Sequence, residues 1–335
     1  MTQSTETGKT SGLRFKERNP LLALILERLG LSAILLLAVS VLIFCGVEAL
    51  PGDFATTYLG QSATPQAVAN IRADLGLDRP LFTRYFDWLG GALQGDFGTS
   101  WASRNSVSEQ IGNRLGNSLF LAFCAAAISI PLAILLGMVA VHYRNRFADR
   151  LINVVSLAAI SLPEFFIGYL LILLFAVNLG VATFPATVHE GMSITQRLSA
   201  IALPTATLVL IVLAYMMRMT RAAILSVMSS AYMETAELKG VGAFRAIIKH
   251  AAPNAIAPIV NVVALNLAYL VVGVVVVEVV FVYPGMGQYM VDAVTVRDMP
   301  VVQACGLIFA AVYILLNMLA DIIAIVANPR LRHPR

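Results

Sequence analysis

The sequence predicts an all-α polytopic membrane protein with six membrane-spanning helices. Of the 335 residues, 59% are hydrophobic and only 13% are charged, and the mean hydropathy is +0.80. A soluble domain carries roughly 25% charged residues, so this composition cannot supply a water-exposed surface. Several stretches without a charge also reach about 20 residues, the length that a helix needs to cross a hydrocarbon core of about 30 Å.

These apolar stretches place the spans along the chain. The first is too long for the core of a signal peptide, and Pro51 follows it with no small-residue cleavage site before it. We therefore expect it to remain as a membrane anchor. The six predicted spans are residues 29–49, 118–141, 151–179, 198–217, 257–277 and 303–327.

Lysine and arginine are concentrated on one side of the predicted spans. Five precede the first span, three follow the second, five follow the fourth and three lie in the C-terminal tail, whereas the loops after the third and fifth hold one each. Basic residues in short loops mark the cytosolic side, so we predict that both termini and the loop 218–256 are cytosolic. The long loop 51–117 is then periplasmic, since loops of that length translocate largely regardless of charge.

The spans and loops divide the chain into three parts. Residues 1–28 are predicted to form a cytosolic tail, of which 1–12 reads as disordered. Residues 29–327 form the transmembrane domain, and residues 328–335 form a second cytosolic tail. The net charge of +4 and the isoelectric point near 9.0 follow from the basic cytosolic loops, so no nucleic-acid partner is expected.

The sequence contains none of the common motifs of nucleotide sites or membrane enzymes. The GKT at 8–10 lacks the upstream glycine and the preceding strand of a phosphate-binding loop, and no HExxH or GxSxG is present. The four histidines lie far apart, and we expect Cys45, Cys124 and Cys305, which fall in apolar stretches, to be small buried side chains. We predict neither an enzyme nor a metal site, and an energy source on another polypeptide.

Glu164 is the acidic residue that the sequence places deepest in a span, about a dozen residues in and just after a proline. A charge at the bilayer centre costs roughly 2.5–3.5 kcal/mol on insertion scales. Glu164 therefore either lines a polar pathway or pairs with a neighbouring helix, and Asn178 and Asn266 are further pathway candidates. Glu278 and Asp321 lie near span ends, where we expect side chains to reach water.

The polar stretch AYMETAELKGVGAF (231–244) interrupts the apolar chain inside the predicted cytosolic loop. Ser230 is a typical N-cap residue, and Glu234 lies in the first turn, where the helix dipole favours a negative charge. Gly240 suits the C′ position. The pattern predicts a short helix over 231–239.

One face of this short helix is suited to contact with another protein. Met233, Ala236 and Gly240 share that face at spacings of three and four, and the latter two have almost no side chain, so another surface could approach closely. The alternative is a helix that lies on the lipid headgroups. Such helices usually need a large apolar stripe and several basic residues, and this segment has one lysine.

The same segment carries a recognisable spacing: Glu234, Thr235 and Ala236 are followed after three residues by Gly240, and later by Pro253. This resembles the E-A-A-x-x-x-G motif, or EAA loop, of bacterial ABC importer permeases, with a departure at Thr235. The resemblance implies that these residues form a coupling helix, which docks into a cleft on a separate ATPase subunit.

Longer stretches resemble one branch of that family, the dipeptide/oligopeptide/nickel permeases. They include ALPGDFATTYLG after the first span, SVSEQIGNRLGNSLFLA entering the second and FVYPGMGQYMVDAVTVRDMPVVQACGLIF entering the sixth. The early PGD and the long outer loop are similar to the first of the two paired permeases of these systems. The resemblance implies a type I ABC importer permease fold in the bacterial inner membrane.

The resemblance also implies partners and cofactors. A homologous second permease would complete the pathway as a heterodimer, two ATP-binding subunits would bind from the cytosol, and a periplasmic solute-binding protein would deliver the solute. ATP and magnesium would sit on the partner ATPase, and no cofactor is expected in this chain.

The outer loop contains two predicted helices. Thr64 and Pro65 begin the first and Gly76 ends it, whereas residues 81–89 form an amphipathic segment suited to the membrane surface. The loop either closes the outer mouth, receives a binding protein, or packs as a cap without contacts. The PGMG turn at 284–287 is expected to end the fifth span.

The predicted function is that of a permease subunit of an ATP-driven, binding-protein-dependent importer, with peptides as the favoured substrate. The same machinery importing nickel or an opine-like or sugar-like solute is an alternative. From other classes, a stand-alone secondary transporter or channel predicts transport without ATP. A structural scaffold predicts no solute movement at all.

Overall fold

The computed structural model describes residues 20–49, 52, 54–189 and 191–327. Within them the chain is helical, and the β pairing recorded there is an isolated bridge between Thr99 and Ser106. The predicted tail segments 1–12 and 328–335 lie outside the described residues, as does the GKT sequence.

The helices of the described residues are numbered here in chain order. They are α1 (Pro20–Glu48), α2 (Phe54–Leu59), α3 (Pro65–Asp74), α4 (Leu81–Leu93), α5 (Val107–His142), α6 (Phe147–Ser161), α7 (Glu164–Leu171), α8 (Ile194–Ala200), α9 (Ala202–Met228), α10 (Ala231–Leu238), α11 (Ala243–Arg245), α12 (Ala252–Asn254), α13 (Ile256–Phe281), α14 (Met286–Val296) and α15 (Met299–Ala327). A π-helical stretch, Ile172–Asn178, continues α7, and another, Ala246–Ala251, joins α11 to α12.

In the described part of the chain, α1, α5, α9, α13 and α15 are long and apolar enough to cross a membrane. They correspond to five of the predicted spans. The remaining one corresponds to α6 and α7, which make a sixth crossing only if this bent pair counts as one span. Helix α5 begins well before the predicted residue 118, because Ser106 caps it by accepting a hydrogen bond from the Glu109 amide at 3.4 Å.

The predicted span 151–179 is broken at Pro163, where α6 and α7 meet at an angle of 104°. Leu162 is extended (φ −93°, ψ 137°), as expected for a residue before proline. Pro163 has no N–H to continue the helical hydrogen bonds. Glu164 consequently lies in the first turn of a new helix rather than a dozen residues into a continuous one.

The centre of the membrane domain is α9, which packs against α5 on one side and α13 on the other. Leu121 of α5, Leu208 and Met216 of α9 and Val277 of α13 share one buried cluster. Small residues allow the helices to approach closely: a Cβ at Gly137 would lie 2.9 Å from Thr220. By contrast, only 17% of the apolar segment of α1 is buried, so most of the surface of this helix is exposed.

Glu278 lies near the C-terminal end of α13 and is fully buried, at 0% exposure. Its carboxylate accepts hydrogen bonds from the Ser118 hydroxyl at 2.5 Å and from the amides of Gly287 at 2.7 Å and Gln288 at 3.2 Å. Ser118 in turn accepts from the Met286 amide at 2.8 Å. The expectation that Glu278 reaches water is therefore wrong, because the turn after α13 and the start of α14 fold over it.

A second buried carboxylate connects the outer loop to the last span. Asp298, between α14 and α15, is 2% exposed. It accepts hydrogen bonds from the Ser100 hydroxyl at 2.5 Å and from the amides of Trp101 at 3.1 Å and Ala102 at 3.2 Å. In the outer loop itself, Thr64 caps α3 as predicted, accepting from the Ala67 amide at 3.3 Å.

We predict that Gly285→Ala lowers the melting temperature of the purified protein. The backbone at Gly285 (φ −95°) suits any residue, but a Cβ there would overlap the Glu278 carboxylate. Overpacking of this kind costs roughly 1–3 kcal/mol. The control is Gly112→Ala within α5, where a Cβ meets nothing within 4 Å among the described atoms. Equal melting temperatures for the two variants would contradict the packing described for Glu278.

Candidate functional site

The polar helix predicted in the loop after the fourth span is present as α10. Ser230 takes the extended N-cap conformation (φ −85°, ψ 150°), but its hydroxyl donates to the Val227 carbonyl at 2.5 Å. Ser230 is thus the N-cap residue, as predicted, but its side chain makes no capping hydrogen bond to α10, because that hydroxyl is already used by the preceding helix. Glu234 lies in the first turn, as expected.

Gly240 ends α10 in the left-handed conformation, with φ +78°. The Gly240 amide donates to the Glu237 carbonyl at 2.9 Å, and the Val241 amide donates to the Ala236 carbonyl at 3.1 Å. This pair of bonds is a Schellman motif, which satisfies the last carbonyls of a helix. A residue with a Cβ is strained at such a φ, so glycine is the natural residue here.

Met233 holds α10 against the rest of the chain. It is 0% exposed and lies in a buried cluster with residues near the ends of three long helices, represented by Val141 of α5, Ile224 of α9 and Ile259 of α13. The prediction that Met233 shares an outward-facing surface with Ala236 and Gly240 is therefore wrong. Met233 points inward because it is the large apolar side chain of that turn that the cluster can bury.

The outward surface of α10 consists of other residues. Glu234, Thr235, Glu237 and Gly240 are exposed, and Ala236 is half-buried. The Thr235 hydroxyl donates to the Ala231 carbonyl at 3.0 Å, so it is used within the helix. We call Glu234, Thr235, Glu237, Leu238, Lys239 and Gly240 the outer face of α10, meaning its exposed surface rather than one side of the helix.

Leu238 is the residue of the outer face that sequence reasoning missed. Its side chain is 84% exposed, although leucine is among the residues most often found inside proteins. The available signal was its position: five residues after Met233, it falls on the opposite side of a helix with 3.6 residues per turn.

The segment that follows α10 is tied back to it. The Tyr232 hydroxyl donates a hydrogen bond to the His250 carbonyl at 3.0 Å, and the side-chain amide of Asn254 donates to the same carbonyl at 2.7 Å. Pro253 is exposed in α12. The whole segment from α10 to α12 is thus a compact unit on the buried cluster that contains Met233.

An ion pair that the sequence did not reveal joins α6 to α9 near this unit. Arg221 donates to Asp149 through Nε at 2.8 Å and through its terminal nitrogen at 2.9 Å. The Asn145 amide and the Asn153 side chain also donate to Asp149, at 3.0 and 2.8 Å. Asp149 is almost fully buried, and charges are tolerated there because every carboxylate oxygen has partners.

Of the three predicted pathway residues, Glu164 lies against α13, the helix that carries Asn266, and Asn178 lies elsewhere. The Glu164 carboxylate accepts a hydrogen bond from the Tyr269 hydroxyl at 2.9 Å. Asn266 is one turn before Tyr269 on α13, and its amide donates to the Val262 carbonyl at 2.8 Å. Asn178 is exposed at the far end of the π-helical stretch, roughly 20 Å along the helix from Glu164.

Titratable and metal-binding side chains do not cluster in the described residues: no group of three or more His, Cys, Asp or Glu there could hold a metal ion. The three cysteines are free thiols. Cys305 is buried and Cys124 is half-buried, but Cys45 is exposed on α1, so its predicted burial is wrong.

Comparison with known proteins places the sequence clearly. The family described as "Binding-protein-dependent transport system inner membrane component" matches residues 129–333, and the corresponding N-terminal family matches residues 21–122. Proteins named "Glutathione transport system permease protein GsiC" from Escherichia coli, Shigella dysenteriae and Salmonella typhimurium are each 39% identical to the chain over 298 residues. The alignments cover 89% of this chain and 95% of each relative.

We predict that Met233→Ala loosens α10 without unfolding the membrane domain. Truncating a buried methionine typically costs about 2–5 kcal/mol, and here the loss falls on a helix held by few other buried side chains. Hydrogen–deuterium exchange of the protein in nanodiscs should show faster exchange of the α10 amides. Leu238→Ala, which removes an exposed side chain from the same helix, should leave α10 protection unchanged. Equal exchange in Met233→Ala and the unsubstituted protein would show that Met233 is not the anchor.

Proposed function

This chain belongs to the family of binding-protein-dependent transport system inner membrane components, and on that premise we propose that α10 is the helix through which a separate ATPase moves the spans. The chain is accordingly an inner-membrane permease subunit of an ABC importer and not an enzyme. The proposal rests on one observation: α10 has both a buried contact and an exposed surface. Met233 is buried among the ends of three spans, while Glu234 and Leu238 are exposed.

The mechanism follows from this arrangement. An ATPase pair that closes on ATP would push or pull the outer face of α10. Because Met233 shares a buried cluster with Val141, Ile224 and Ile259, the displacement would pass through that cluster to α5, α9 and α13. Packed side chains transmit such motion with little compression. The spans would then alternate between outward-open and inward-open arrangements, with both termini and α10 on the cytosolic side and hydrolysis resetting the cycle.

A homologous second permease would complete the pathway. Along α13, the exposed side chains Leu265, Tyr269, Val272 and Val276 recur every three or four residues and form one stripe that faces away from the chain's own core. Tyr215 on the adjacent α9 is also half exposed. We propose that this surface faces the second permease and the solute, whereas the broad apolar surfaces of α1 and α5 face lipid.

Glu164 supplies the charged group of this surface. Its carboxylate is only partly buried and is hydrogen-bonded to Tyr269, so it can meet a solute that passes along α13. A carboxylate next to a phenol hydroxyl favours a solute with an amine or amide N–H. Together with relatives named for glutathione transport, this favours a peptide as the substrate, delivered by a periplasmic binding protein and driven by ATP on the partner subunits.

We predict that Leu238→Ala strongly lowers ATP-dependent uptake. An exposed anchor side chain that enters a partner's pocket typically contributes more than 1 kcal/mol to binding. The assay is uptake into proteoliposomes that contain this chain, its partner permease, the ATPase subunits and the binding protein.

Phe147→Ala is the matched control for Leu238→Ala, because it truncates another apolar side chain that is 79% exposed at the start of α6, outside α10. It should leave uptake unchanged. Normal uptake by Leu238→Ala would count heavily against docking of an ATPase on α10. Uptake by this chain alone, without ATP or partners, would instead identify a stand-alone transporter.

We predict that Glu164→Gln changes the uptake rate several-fold while the binding protein keeps its affinity for the solute. The substitution keeps the side chain's size but removes its charge. Glu109→Gln, at an exposed position in the first turn of α5, is the control. Glutathione, dipeptides and nickel should be compared in the same assay, and an unchanged rate for each would remove Glu164 from the pathway.

A further inference from the structure

An apolar groove lies between the outer end of α1 and the outer-loop helix α4. Its volume is about 650 Å³, within the roughly 300–1,000 Å³ typical of small-molecule sites. Val41 and Cys45 of α1 and Phe82 and Phe86 of α4 are among its lining residues. The lining is almost entirely carbon, and its one charged member, Glu48, sits at the rim.

Helix α4 is fixed against α1 well below the end of that span. The Tyr85 hydroxyl and the Ser40 hydroxyl are hydrogen-bonded at 2.8 Å, and Ser40 is 1% exposed. The Phe44 ring lies 5.3 Å from the Tyr85 ring and 6.0 Å from the Trp88 ring. Ser40 lies eight residues before the end of α1, which is about 12 Å along the helix axis. Helix α4 therefore lies alongside the last turns of α1 rather than beyond the end of that helix.

The charged groups at this end of α4 are paired with one another or with α1. Arg84 pairs with Glu48 at the rim, donating to it through both terminal nitrogens, one of them at 3.1 Å. Arg79 pairs with Asp87 at 2.6 Å on the far side of the helix. Each charge at this end of α4 is thus matched, so the groove offers nothing to attract a charged ligand.

The apolar side chains of α4 point in the other direction. Phe82 is 80% exposed and Phe86 is 62% exposed, four residues apart on the same side of the helix. A helix that carries apolar side chains on one side and charges on the other is suited to the bilayer surface, with its apolar face buried about 5–10 Å below the headgroups.

We propose that this groove holds an acyl chain of a phospholipid from the leaflet on the side of the 51–117 loop. The groove is continuous with the exposed apolar surface of α1, where Leu42 is 70% exposed, and that surface belongs to a membrane-crossing helix. Tyr85, which also lines the groove, has its hydroxyl hydrogen-bonded to Ser40, so it presents its ring rather than a polar group to an occupant. The site rests on the membrane insertion of α1 and is independent of the function proposed for α10.

The consequence is that the outer loop is attached to the bilayer as well as to the protein. Asp298 ties Ser100 and its neighbours in the outer loop to the last span, and α4 would tie the same loop to lipid. A filled groove would therefore limit how far the loop can move from the membrane surface.

The test uses a phospholipid with a photoactivatable diazirine on its acyl chain, in nanodiscs that hold the full chain, alone and assembled with its partner subunits. After irradiation, mass spectrometry maps the cross-linked peptides. We expect cross-links on α4 as well as on α1. Helix α3 (Pro65–Asp74), which lies in the same loop, is the internal negative control.

Two substitutions separate occupation of the groove from general contact with lipid. Cys45→Trp fills the groove from the α1 side and should lower the cross-linking yield on α4 several-fold. Leu42→Trp adds the same ring to the exposed surface of α1 outside the groove lining and should leave that yield unchanged. Uptake is not the readout, so failure here leaves the proposal for α10 untouched.

Three results would overturn the proposal. Cross-links confined to α1 would show that α4 stands clear of lipid. Cross-links on α4 that Cys45→Trp does not reduce would show lipid contact outside the groove. Cross-links on α4 that vanish in the assembled importer would show that a partner protein takes the groove.

Discussion

The burial of Met233 is the interaction on which the functional architecture depends. An isolated helix shorter than about 12–15 residues is marginal in water, and α10 has only eight. The hydrogen bonds from the Gly240 and Val241 amides end the helix but add little to its stability. The helix is held in place because Met233 enters a cluster that includes residues of α5, α9, α13 and the Ala246–Ala251 stretch, and the Tyr232 hydroxyl donates to the His250 carbonyl. The same contact that stabilises α10 is the contact that would transmit force, so stability and coupling have a common origin.

Elsewhere, buried carboxylates join neighbouring helices. A buried carboxylate is tolerated in so apolar a protein only when its oxygens accept hydrogen bonds. Glu278 joins α13 to α5 and α14, Asp298 joins the outer loop to α15, and Asp149 joins α6 to α9. Apolar contacts between helices in lipid lack a hydrophobic driving force, so these directional bonds set which helix ends meet. A Cβ at Gly285 would overlap the Glu278 carboxylate, and a Cβ at Gly287 would meet both Val275 and that carboxylate.

Sequence reasoning succeeded where a local rule decides the structure. Runs without charge gave the spans, and Gly240 was identified as the end of α10 from its position after a polar stretch. It failed where a tertiary contact decides. The inward direction of Met233 depends on the cluster beneath it, and the burial of Glu278 depends on a turn that folds back over it. The 104° bend at Pro163 lay between these cases: proline predicts a kink, but its angle is set by packing.

The opposed faces of α10 also have a consequence for sequence change. Because Met233 lies in the buried cluster and the residues proposed to meet the partner are exposed, those residues can be exchanged without changing the buried contact. A permease with this arrangement could adapt to a different ATPase subunit through a few surface substitutions, while α10 keeps its position in the fold.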